Sequence, residues 1–185
     1  VRDQAGIELG YVEQLYTFGD RQRDPHLEQV GVRSISVAYL ALVRERIGEE
    51  ADAVRWRGVY EFFPWEDWRQ GRPDIITTAI EPRLSQWVSA AESVGERRHR
   101  RERADIAFGL AGVPWDGDRA LERYELVYEA GLVAEAASVA GRASETAPFG
   151  RSAALDHRRI LASALGRVRG KIRYRPVVFE LLPPR

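Results

Sequence analysis

The sequence predicts a mixed α/β (α+β) domain interrupted by an all-helical insertion. Three observations predict it. Residues 12–63 hold three runs of β-forming residues separated by stretches rich in Asp, Gly, Pro and charge. From residue 73 the apolar spacing changes to the period of a helix and keeps it to about residue 140. A further amphipathic helix and a β-rich phrase follow over 155–184.

Each element has its own warrant. VEQLYTF (Val12–Phe18) alternates apolar and polar and reads as a strand; the Asp- and Arg-rich residues 19–31 after it read as a loop. RSISVAYLALV (Arg33–Val43) is β-branched and nearly continuous in its apolar half, as expected of a central strand covered on both faces. VRWRGVYEFFP (Val54–Pro64) reads as a third strand, stopped by Pro64. Ile76, Ile80, Leu84, Trp87, Val88, Ala91 and Val94 then recur at helical spacing, so Pro73–Glu96 is predicted mostly helical, with a break or fresh start at Pro82. A second helix is expected over Asp118–Ala130, capped by Asp116 or Asp118 and stopped by Gly131, and a third over Leu132–Ala140. Residues 141–150 form a linker of mostly small residues. Leu155–Lys171 is predicted as an amphipathic helix capped by Ser152 or Asp156, with Ile160, Leu161, Ala164 and Leu165 on its buried face, and Tyr174–Pro184 as a strand.

Composition bounds the function. The chain has 185 residues, enough for one domain with an appendage. Lys+Arg and Asp+Glu are both 28, so net charge points to no nucleic-acid or membrane partner. Lys171 is the only lysine, and the remaining cations are arginines. Cysteine is absent, which excludes disulfides and thiolate sites and fits a reducing, cytoplasmic setting. No apolar run approaches the roughly 20 residues of a membrane span.

Three phrases in order carry a resemblance. They are QLYTFGDRQRDP (Gln14–Pro25) followed by RSISVAYLALV, the segment ending in EFFPWEDW (Glu61–Trp68), and LDHRRILASALGRVRGKIRYRPVVFELLPP (Leu155–Pro184). Together they resemble the Nudix-related transcriptional regulators of NAD metabolism, in which a Nudix-like effector domain precedes a winged helix. The likeness covers about Val1–Phe63 and Leu155–Pro184; the helical block at about 66–150 is longer than the family pattern. The Nudix signature, G-x5-E-x7-R-E-U-x-E-E-x-G-U with U apolar, ends in positions that match Val1, Arg2, Asp3, Gln4, Ala5, Gly6 and Ile7. On that match Val1 lies inside the Nudix helix.

The resemblance implies a Nudix-like α/β/α sandwich over residues 1–170, N-terminally incomplete and carrying the helical insertion. Residues 171–185 would then lead towards a winged-helix reader of operator DNA that this chain does not contain. It also implies an NAD-related nucleotide effector such as ADP-ribose, NAD or ATP, and a homodimer matching two operator half-sites. In Nudix hydrolases several carboxylates hold Mg²⁺ against the diphosphate. Here Asp3 is the single expected metal ligand, beside the neutral amide of Gln4, which weakens a hard-cation site and suits binding without hydrolysis. The alternative is an active Nudix pyrophosphatase using Mg²⁺, and a third reading is an interaction module without a pocket.

The remaining candidates follow from residue chemistry. In the loop, Arg23 can clamp a phosphate or stack on a base while Asp20 and Asp24 meet ribose hydroxyls; the competing reading is a solvated turn. Trp56, with Tyr60, Trp65 and Trp68, can stack an adenine or fill a core. His157 and Arg158 stand near a helix start, where an anion is favoured, though Arg158 beside the apolar face can equally be exposed and face a partner. ERRHRRER (Glu96–Arg103) reads either as a phosphate-binding patch or as a solvated, Arg-rich helix end. No Ser/His/Asp triad, Gly-rich phosphate loop or zinc pattern is present, and no catalytic residue is assigned.

Overall fold

The computed structural model describes residues 11–19, 35–43, 56–139 and 149–174. The chain divides into two compact units, residues 1–57 with 167–185 and residues 58–166. The mixed helix-and-strand class expected from the sequence is present.

In the first unit, β1 (Tyr11–Phe18) and β2 (Ser36–Leu42) pair antiparallel, from Tyr11 opposite Leu42 to Phe18 opposite Ser36. Gln14 faces Tyr39 and Tyr16 faces Ala38, so Leu15 is the extra residue of a β-bulge. The bulge shifts the alternation by one: Leu15 and Phe18, three apart, are both buried, and Tyr16 and Thr17 are exposed. β2 corrects an expectation. No residue in it is fully buried; Val37 and Tyr39 are exposed and their neighbours half-buried. Its apolar composition suggested two covered faces, whereas among the described residues it belongs to a two-stranded sheet with one open face.

The second unit is helical. Val54–Pro64 is not a strand where it is described: Val59–Phe62 is a single helical turn (α1), followed by a 3₁₀ turn at Pro64–Glu66. The reason is local. The Glu61 carboxylate accepts from the Gly58 N–H at 2.9 Å and closes the first turn, and Pro64 has no N–H for a sheet ladder. Phe63 and Trp65 both enter the helical core.

Ile76–Ile80 winds as a π-turn and runs into α2 (Glu81–Ser89). Pro82 explains the wide turn, because it cannot donate to the carbonyl four residues back and its ring crowds it; the Glu81 N–H reaches the Ile76 carbonyl instead. The helix expected through Glu96 stops at Ser89. A new one, α3 (Val94–Phe108), starts at Ser93, whose hydroxyl accepts from the Glu96 N–H at 3.1 Å. The charge run therefore lies in the middle of α3, not at a helix end. Gly109 ends it in the left-handed region with φ 59°.

Asp116 accepts from the Asp118 N–H at 3.0 Å and starts a 3₁₀ turn that becomes α4 (Ala120–Glu129), with Gly131 at φ 72° after it. α5 is Ala134–Val139 and α6 is His157–Tyr174. Tyr174, expected to open a strand, ends a helix, which runs three residues past the expected end at Lys171; 175–185 lie outside the described residues.

Phe63, Trp65, Ile76, Ile80, Leu84, Phe108, Tyr124, Leu126, Val127, Val133, Phe149 and Ala162 make one core. Fully burying one such aliphatic or Phe side chain contributes about 1.5–3 kcal/mol. Through this core run two buried guanidiniums. Arg123 donates to both Glu66 oxygens, at 2.5 and 3.1 Å, and to the carbonyls of Ala107 (3.0 Å) and Asp116 (2.8 Å), while lying 3.8 Å from the Trp115 ring centroid. Arg123 and Glu66 are both closed to water.

Breaking this pair from one side strands a buried charge. Arg123→Met is expected to cost roughly 3–5 kcal/mol, read from the urea midpoint, and adding Glu66→Leu should restore part of it because no lone carboxylate then remains.

Candidate functional site

Asp3, Gln4, Asp20, Arg23 and Asp24 lie outside the described residues. What the structure gives is the hairpin that carries three of them. Phe18 and Ser36 form the last pair of the ladder, so the connection bearing Asp20, Arg23 and Asp24 leaves and returns at that end of the sheet. Strand pairing puts Val12, Gln14 and Thr17 with Val37, Tyr39 and Ala41 on one face, which is open apart from half-buried Ala41.

Tyr11 and Glu13, on the opposite face, meet Lys171 from the C-terminal part of α6, all three within the first unit. The Lys171 ammonium lies 2.8 Å from a Glu13 carboxylate oxygen and donates to the Tyr11 hydroxyl at 2.9 Å. That hydroxyl donates to the same carboxylate at 2.7 Å. The ammonium is also 4.9 Å from the centre of the Tyr11 ring. Partial burial pushes the Glu13 carboxyl up, but the hydrogen bonds from Lys171 and Tyr11 together outweigh it and hold its pKa below the ordinary value. The same bonds raise Lys171. The arrangement is a closed polar clasp: each group's charge is committed to another, which suits holding a strand to a helix.

The candidates in the described region separate. Trp56 is 64% exposed. Its expected companions are elsewhere occupied. Trp65 is in the core, Trp68 stacks on Trp115 at 4.6 Å, and Tyr60 lies under the Arg69 guanidinium at 5.0 Å. Trp87 carries Arg100 and Arg103 over its ring at 4.6 and 6.0 Å.

His157 is the first residue of α6 and is exposed. Its neighbour corrects the sequence reading. Arg158 is neither exposed nor turned to a partner; its side chain is closed to water. It donates to the Phe62 and Phe149 carbonyls and pairs with Glu135 at 3.3 Å. Burial lowers its pKa, opposed by Glu135, and a guanidinium stays charged regardless. The buried line of α6 thus runs through Arg158 and Ala162, one turn apart, with Leu161 and Leu165 packed beside it.

Sequence reasoning missed Glu66, Glu135 and Arg123, the groups that hold the helical unit together. One signal was available: Arg123 sits one turn before Val127 and three residues after Ala120, inside the apolar stripe of α4. No comparable signal marks Glu13 as the partner of Lys171.

Among the described residues no group of three or more His, Asp or Glu is placed to hold a metal ion, and Asp3 is not among them. No described helix is long and apolar enough to cross a membrane. No protein family model matches the chain, and no curated protein matches it.

The clasp predicts a pH dependence with a definite sign. Because the folded-state pKa of Glu13 is lowered, its contribution to stability is present above the ordinary carboxylate range, about 4.3, and is lost as the pH falls through the lowered value. Thermal midpoints between about pH 6 and about pH 2 are expected to drop less in a Glu13→Gln variant than in the wild type. Parallel curves for the two proteins would remove the clasp.

Proposed function

We propose that this chain is the effector-sensing part of a Nudix-related transcriptional regulator of NAD metabolism, binding an NAD-related nucleotide (ADP-ribose, NAD or ATP) without hydrolysing it. One observation supports this reading above the others. The segments that carry the resemblance, about 1–63 and 155–184, largely coincide with the unit formed by residues 1–57 and 167–185. The block that the resemblance leaves unexplained, about 66–150, falls within the other unit, residues 58–166. Phrases far apart in the sequence are also joined by a specific contact, Lys171 of the third to Tyr11 and Glu13 beside the first.

The chemistry assigned to the pocket follows from the residues. Arg23 holds phosphate, Asp20 and Asp24 accept from ribose hydroxyls, and exposed Trp56 offers an adenine a stacking surface. At Asp3 and Gln4 the carboxylates that a hydrolase needs around Mg²⁺ are reduced to one, so the nucleotide is held rather than cut. Operator DNA is read by a winged helix beyond this chain, and a homodimer presents two such readers.

Calorimetric titration with ADP-ribose, NAD and ATP tests the proposal. One of them should bind, and Arg23→Ala should weaken it about 10- to 100-fold, the loss of one charge-assisted contact of about 1.5–3 kcal/mol. Absence of binding by all three at millimolar concentration overturns the reading. Release of AMP on addition of Mg²⁺ would replace it with the pyrophosphatase.

A further inference from the structure

The arginine run on α3 has two sides. Arg100 pairs with Glu96 at 2.5 Å, donates to the Trp87 carbonyl at 2.7 Å and covers the Trp87 ring. Arg103 grips Glu129 with two bonds, 3.0 and 2.5 Å. Both are thereby committed to packing α3 against its neighbours. Arg97, Arg98 and Arg101 are different. All three are exposed; Arg98 and Arg101 have no hydrogen-bond or ion-pair partner among the described residues, and Arg97 touches only the Ala91 carbonyl at 3.5 Å.

These three lie within about one turn, at spacings of one, three and four residues, on a common side of the helix. They stand in its N-terminal half, where the macrodipole adds to their charge instead of offsetting it. The nearest exposed carboxylate on the helix is Glu102, and Glu96 is already taken by Arg100. The result is a local cationic ridge on a chain whose net charge is zero.

We propose that this ridge of α3 docks on the phosphate backbone of duplex DNA, independently of base sequence. The choice of DNA rests on the reading of the chain as part of a transcriptional regulator. The geometry selects a backbone over other anions. Guanidiniums match phosphate oxygens in pairs, and a duplex presents one charge per about 1.7 Å of axis, so side chains one turn apart meet several phosphates. The exposed side carries no aromatic residue for stacking unpaired bases, and Val94 is its one large apolar side chain, too little for burial in a bilayer.

The test is fluorescence anisotropy of the intact chain on a labelled duplex of arbitrary sequence, over a salt series. Three phosphate contacts at about 0.9 each give a slope of about 2.7 in log affinity against log salt, roughly a 40-fold loss between 50 and 200 mM. The R97Q/R98Q/R101Q variant should lose that part of the slope with an unchanged circular dichroism spectrum. R69Q, which removes an exposed arginine already paired with Asp67, should not. An unchanged slope in the triple variant, no duplex binding at low salt, or tighter binding to duplex RNA or to anionic vesicles than to DNA would each overturn the proposal. Nucleotide titration of the same triple variant keeps the two readings apart: it should be unaltered, so loss of DNA docking leaves the effector site standing, and an empty effector site leaves the measured slope in place.

Discussion

The guanidinium of Arg158 has no route to water, and the helical unit is arranged around satisfying it. Its donors reach the carbonyls of Phe62 and Phe149 and the carboxylate of Glu135, joining three segments that the sequence separates widely to the start of α6. Those carbonyls would be costly to bury without partners, so one side chain both neutralises its own charge and satisfies turns that lack a ladder of their own. The surrounding aromatics follow from this. Phe63, Trp65 and Tyr124 have ring centres within 5.4–5.5 Å of the guanidinium, excluding solvent and presenting π-faces to the charge. Tyr124, desolvated there, is pushed far above the usual phenol range.

Close packing at this point leaves little freedom for the chain that crosses it. Gly150 has φ 78°, and a Cβ there would stand 2.5 Å from the Phe62 carbonyl oxygen. Glycine is needed on both counts: the left-handed backbone and the approach of one strand of chain to another. The Arg151 N–H then donates to the Glu61 carbonyl at 2.8 Å, so residues 149–151 lie as a strap across α1. A linker of small residues in the sequence thus ends in one of the most tightly held places in the unit.

What the sequence could reveal followed from physical range. Periodicity located β1, β2, α4 and α6, because a repeated apolar spacing is a local property that packing only confirms. Caps were legible too, as at Asp116 and Gly131, since they depend on residues a few places apart. The failures share a cause. Val54–Pro64 has strand composition, yet Phe63 and Trp65 gain more in a helical core than in a ladder that Pro64 cannot continue. Arg158 looked like surface because its partners, 9 to 96 residues away in sequence, cannot be inferred from its neighbours. Of the candidate site, the sequence supplied the residue types, and the strand register supplied the place from which their loop departs.

The bulge at Leu15 carries a consequence for reading such chains by alignment. Side-chain orientation in a strand repeats every two residues, so an extra residue reverses every position beyond it unless something absorbs the shift. Here the backbone absorbs it in one step, and Phe18 still reaches the inner face. A comparison that forbids a gap at this point would match Thr17 with an inward position and Phe18 with an outward one, scoring a preserved strand as a scrambled one. In this hairpin, a single insertion of length is compatible with complete retention of pattern.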